Sequence, residues 1–174
     1  MRYPLISALA LSVFLAACGT ESEEGPMPGT PEAVLQNHTA EWKANEKRTF
    51  VFESRKWSLG DTTSYTCESR NGVVGSCVRV RHCCGGASMA DTVSGYASPS
   101  QLLAQLRSDV EKLKYDDGTG NGEGFTVNRR GENGLEIVAG ISATFHPDLG
   151  YPKSVVWFGA AADSGVNITR LEFK

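Results

Sequence analysis

Catalytic signatures are what this chain most conspicuously lacks. It contains no G-x-S-x-G nucleophile elbow, no H-E-x-x-H zinc helix, no G-x-x-x-x-G-K-[ST] phosphate loop and no dinucleotide-binding glycine fingerprint. No C-x-x-C pair occurs, which removes haem attachment and the usual zinc spacing. Histidine is scarce: His38, His82 and His146 fall in different stretches of the chain. A basic excess is missing too, since 17 Lys and Arg stand against 20 Asp and Glu. A phosphate backbone demands a positive stripe to neutralise it, so nucleic acid is not an expected partner. No internal repeat or long low-complexity tract is present.

Long apolar runs are confined to the start of the chain. Arg2 and the terminal amine supply positive charge, and Leu5 to Ala17 is apolar apart from Ser7 and Ser12. As a helix this run would reach only about 20 Å, short of a hydrocarbon core of roughly 30 Å. A secretory signal over residues 1–17 is therefore expected, rather than a permanent span. Leu15-Ala16-Ala17-Cys18 resembles the bacterial lipobox, in which the cysteine thiol is lipidated and becomes the first mature residue. That resemblance implies attachment to the membrane through Cys18. Gly19, rather than Asp, after the cysteine implies the outer membrane. Residues 18–30 then form a tether rich in Glu, Gly and Pro, with a random-coil reach on the order of 20 Å. Residues 31–174 are expected to form one globular domain.

Loss of Arg2 with the signal leaves 16 basic residues against 20 acidic ones. With Cys18 assigned to lipid, Cys67, Cys77, Cys83 and Cys84 remain, an even set in a disulfide-permissive compartment. A two-residue turn at Asn71-Gly72 joins Thr62–Arg70 to Val73–His82 as a hairpin. In strict register it pairs Cys67 with Ser76; one extra residue at Gly72 or Gly75 would bring Cys67 opposite Cys77. Two linkages stay open: Cys67 with Cys77, leaving Cys83 and Cys84 to each other, or a crossed pattern. The crossed pattern is preferred, because a bond between adjacent cysteines closes a cramped ring. A metal bound by these cysteines and His82 is disfavoured, since adjacent cysteines seldom reach one tetrahedral ion.

Two helices and an antiparallel sheet are predicted. Thr30-Pro31-Glu32 starts the first helix with a cap, a proline at the first position and an acid in the first turn. Leu35, His38 and Trp42 share its apolar face, so His38 is expected to be packed rather than a ligand. Ser98 and Gln101 form a capping box for the second helix, whose stripe is Leu102, Leu103, Leu106, Val110 and Leu113. Alternation predicts a strand over Thr49–Trp57, and further strands over Phe125–Arg130, Leu135–Phe145, Ser154–Gly159 and Asn167–Phe173. The fold class is α+β, an antiparallel sheet of about five to six strands with both helices on one face. The stretch 115–124, rich in Asp, Asn and Gly, is expected to be a mobile polar loop. It can be laid on a calcium loop from Asp117, but Asn128 stands where such a loop needs a bidentate Glu.

Thr144-Phe145-His146-Pro147-Asp148-Leu149-Gly150-Tyr151-Pro152 resembles the Tyr-Asp-Pro-x-x-Gly-Tyr-Pro segment of a bacterial lipoprotein family, domain of unknown function 6174. Trp42, Phe50 and Phe52, the Val78-Arg79-Val80 strand and the leucine-rich helix precede it in similar order. This chain lacks that family's close C-x-C, and His146 stands where Asp is usual. The resemblance implies an exported α+β domain and carries no activity, metal or cofactor.

Two functions follow from the residues. One is a non-enzymatic binding or adaptor domain, presenting a sheet edge or loop surface to another envelope protein; the two-sided apolar strand Ser154–Gly159 motivates it. The alternative is a hydrolase or a small-ligand or metal-binding protein built on His146, Asp148 and Tyr151 with the loop 116–123.

Overall fold

The computed structural model describes residues 26–82, 88–159 and 162–174. Cys18, the signal stretch, Cys83 and Cys84 lie outside the described residues. Chain order is α1 (Pro31–Lys43), β1 (Phe50–Ser58), β2 (Asp61–Arg70), β3 (Val73–His82), β4 (Ser88–Val93) and α2 (Pro99–Leu113). Then follow β5 (Asp117–Asn121), β6 (Gly124–Arg130), β7 (Ile137–Phe145), β8 (Pro152–Gly159) and β9 (Ser164–Phe173). All neighbouring strands pair antiparallel, in one sheet of order β4-β3-β2-β1-β9-β8-β7-β6-β5.

Both helix starts form as their residues dictate. The Thr30 hydroxyl accepts from the Ala33 amide at 3.3 Å, with Pro31 at the first position. Ser98 accepts from the Gln101 amide at 3.2 Å, and the Gln101 side chain accepts from the Ser98 amide at 2.8 Å. Leu35, His38 and Trp42 are buried, as are Leu102, Leu103, Leu106 and Val110. The indole of Trp42 donates to Ser100 Oγ at 2.9 Å, joining the two helices, and its ring meets Phe50 and Tyr151 edge-on.

Among the described residues nine strands form where a sheet of five to six was expected, and seven of them correspond to the stretches predicted one by one. The two that periodicity missed are the edges. β4 is exposed along most of its length, so neither face imposes an apolar alternation; its side-chain tie is the Asp91 carboxylate, which Arg79 donates to. β5 is the glycine-rich stretch expected to be mobile. A side chain at Gly120 would strike Val34 Cγ2 at 2.7 Å and the Gly29 carbonyl at 3.0 Å, so its absence is what lets β5 lie against the start of α1. The Gly120 amide donates to Gly29 at 3.0 Å, and Asn121 Oδ1 accepts from the amides of Glu123 and Gly124.

The Asn71-Gly72 hairpin forms with φ of 53° and 79°, as a type I′ turn requires. One extra residue on β3 shifts the register between Cys67 and Ser69, opposite the Gly75 region. Cys67 consequently faces Cys77, and the two are bonded, with both side chains in the core. This corrects the preference for a crossed pattern: the bulge aligns the two cysteines across neighbouring strands. Ser154–Gly159 is also re-placed. As part of β8 it lies between β7 and β9, so its backbone is spent on pairing and offers no edge.

Gly150 has φ of 71°, and a Cβ there would stand 2.3 Å from the His38 carbonyl and 2.8 Å from the Trp42 amide. Gly150→Ala is expected to cost at least about 3 kcal/mol, or about 10 °C in Tm, since left-handed strain and backbone overlap add. Gly134→Ala, at a φ of 69° with open space around it, should cost about 1 kcal/mol, from strain alone. Equal losses in thermal unfolding would refute the close-approach argument. Non-reducing peptide mapping should recover Cys67 linked to Cys77, and replacing both with Ser should lower stability by at least about 3 kcal/mol, the entropy of so short a loop with the cost of two buried hydroxyls added. A map linking either residue to Cys83 or Cys84 would overturn the register.

Candidate functional site

The residues first suspected of binding turn out to build a fold-back. The His146 amide donates to the Tyr151 carbonyl, and the Gly150 amide donates to the His146 carbonyl, both at 2.9 Å. His146 Nδ1 accepts from the Asp148 amide at 3.2 Å, which occupies the ring with turn geometry. Tyr151 is buried against Trp42, and burial raises its hydroxyl above the ordinary phenol range. Asp148 is exposed. The three residues are thus neighbours, but two of them serve the turn and its packing, and they do not converge on a cleft.

The acidic stretch is similarly committed. Asp117 accepts from Asn128 Nδ2 at 2.7 Å and from Arg130 at 2.7 and 2.9 Å, contacts that hold its carboxyl below the usual range. Asp116 accepts from the Arg130 amide at 2.6 Å. Among the described residues, no group of three or more His, Cys, Asp or Glu side chains is placed to hold a metal ion. His38 stacks on Phe145 with centroids 4.5 Å apart, and its Nδ1 pairs with Glu41 at 2.8 Å. His82 meets Ser64 on the neighbouring strand at 3.1 Å.

A different place has the form of a site. A cavity of about 480 Å³ lies between α2 and the strands β1, β2, β8 and β9. Phe52, Leu102, Trp157, Val166 and Ile168 give it apolar walls, and Tyr96 and Tyr65 close one side. Both tyrosine rings stack, centroids 4.0 Å apart, and the Ser54 hydroxyl donates to Tyr96 at 2.7 Å. Burial raises the Tyr96 hydroxyl above the ordinary phenol range, outweighing the hydrogen bond from Ser54, which acts the other way. At the β8 end, Trp157 Nε1 donates to Asp109 of α2 at 3.0 Å. Gln105 and Lys56 also line the space and are exposed.

Local sequence explains this placement. Leu102, Gln105 and Asp109 recur at i, i+3 and i+7, so one flank of α2 faces the cavity while Leu103, Leu106 and Val110 enter the core. On β1, the alternation Phe50, Phe52, Ser54, Lys56 runs along one face, from fully buried to exposed. The strand and the helix are each legible in the residues, whereas their juxtaposition is not. A faint signal was available: Ser54 and Lys56 are polar where an alternating core strand should have stayed apolar.

No family model matches the chain, and no curated protein matches it. Among solved structures the chain is similar to the complex of Pseudomonas aeruginosa MucA/MucB, at 15% identity and a TM-score of 0.43. The likeness covers 79% of this chain and 55% of that one, so the chain spans about half the length of the protein it matches.

Proposed function

We propose that this chain is a lipid-anchored binding domain of the bacterial envelope, and that it binds its ligand in the cavity beneath α2. The observation carrying this reading is the cavity itself. Its volume of about 480 Å³ falls within the range of small-molecule sites, roughly 300–1,000 Å³. Apolar walls with a few fixed polar groups suit capture and orientation of a ligand. They supply no nucleophile–base pair, so binding rather than turnover is the chemistry on offer.

The remaining elements of the reading come from the residues. Both helices are taken as one layer on the sheet face that carries Phe52, Phe145 and Trp157; the contacts of Trp42 with Phe50 and of Asp109 with Trp157 support this. Lipid on Cys18 and an outer-membrane address rest on the lipobox and on Gly19. The Gly-Tyr-Pro segment that resembles domain of unknown function 6174 fits the same picture, as a structural signature: Gly150 admits α1, Tyr151 meets Trp42, and Pro152 is buried.

Two measurements test this. Neutral N-phenyl-1-naphthylamine should bind saturably at one site per chain. Gln105→Trp, an exposed helix position that directs bulk into the cavity, should weaken it at least about tenfold without loss of Tm. Absence of saturable binding, or indifference to the substitution, would remove the cavity from consideration. Separately, intact-mass analysis of the membrane-extracted protein should find a start at Cys18 carrying acyl chains. An unmodified Cys18 would refute the anchor, since firm attachment needs two or more chains.

A further inference from the structure

One cross-strand row records how the sheet changes character beside the cavity. In register across the sheet stand Phe125 (β6), Ala143 (β7), Val155 (β8), Val166 (β9), Lys56 (β1), Thr63 (β2), Arg81 (β3) and Met89 (β4). Paired residues share a face, so all of these point the same way. The first three are buried and Val166 is half-buried; Lys56, Arg81 and Met89 are exposed. The cavity straddles the change, with Val166 and Lys56 both in its wall.

Resting on the reading of this cavity as a ligand site, we infer that it takes a single-chain amphiphile with an anionic head group. The chain lies under α2 against Trp157, Val166 and Ile168. The head meets Lys56, with Arg79 and Arg81 beyond it on the same face. Charge placement decides the sign of the head. Lys56 has no carboxylate within ion-pair distance among the described residues. Arg79 and Arg81 share one acid, Asp91, so this part of the face keeps a positive surplus.

Two other carboxylates bear on the site. Asp109 accepts the Trp157 indole N–H at the far, apolar end; β8 and β1 are separated by β9, about 10 Å in strand spacing. Asp61 shares the face of Lys56 one row outward, opposite Ser58. A cationic head would have to choose these, and Asp109 is already hydrogen-bonded while Asp61 lies outside the cavity wall. An uncharged apolar ligand would leave the ammonium of Lys56 unused at the mouth.

The test is displacement of N-phenyl-1-naphthylamine from the full domain by dodecanoate, dodecanol and dodecyltrimethylammonium, each below its self-association concentration. Dodecanoate should compete at a concentration about tenfold lower than the ammonium compound, an advantage that added salt narrows. Lys56→Gln should weaken dodecanoate about tenfold and leave dodecanol unchanged, and Lys56→Arg should restore it. Equal competition by dodecanoate and dodecanol, unaffected by Lys56→Gln, would overturn the anionic assignment while leaving the cavity as a site. Preference for the ammonium compound would overturn it in favour of the acids. Failure of the probe itself to bind would instead refute the cavity reading on which this rests.

Discussion

How closely α1 approaches the turn ending at Gly150 governs the packing of everything that follows. Only a residue without a Cβ fits there, because the His38 carbonyl and the Trp42 amide occupy the space a side chain would take. That approach sets His38 on Phe145 and brings Trp42 edge-on to Phe50 and Tyr151. Trp42 then donates to Ser100 in the first turn of α2, so the second helix takes its position from the first. From there α2 reaches Trp157 through Asp109 and roofs the cavity.

Two helices of 13 and 15 residues face a sheet of nine strands. Their backbones run closest to β5 to β8, and the burial of sheet side chains falls off beyond β1. Burial costs a charged group heavily, so the sequence places Lys56, Arg79 and Arg81 only where the cover ends. The cavity sits at this boundary. Its apolar wall belongs to the covered half and its mouth to the uncovered half, which is why one site has both characters.

The elements that were legible in the residues are those whose chemistry is local. Helix caps at Thr30 and Ser98, the type I′ turn at Asn71-Gly72, and the alternation of Phe50 and Phe52 all read directly. The extra residue near Gly75 was also foreseeable, as one of two registers. Other features depend on the partner strand or helix. β4 has no buried face to mark it, and β5 is legible only once α1 lies against Gly120. His146, Asp148 and Tyr151 looked like a polar cluster because adjacency was visible and backbone bonding was not. The cavity was hidden for a related reason: Phe52, Tyr65, Tyr96, Leu102 and Trp157 come from five separate stretches, and no one of them is unusual alone.

Three tryptophan indoles report on the central claim that the space beside α2 is a ligand site. Trp157 Nε1–H is bonded to Asp109 in the cavity wall, Trp42 Nε1–H to Ser100 between the helices, and Trp57 stacks over Gly165, opposite in alternation to Lys56. Their proton–nitrogen NMR signals can be followed while a neutral apolar ligand is added. The Trp157 signal should shift saturably while those of Trp42 and Trp57 stay in place. A Trp157 signal that does not move, or three signals that move together, would contradict it.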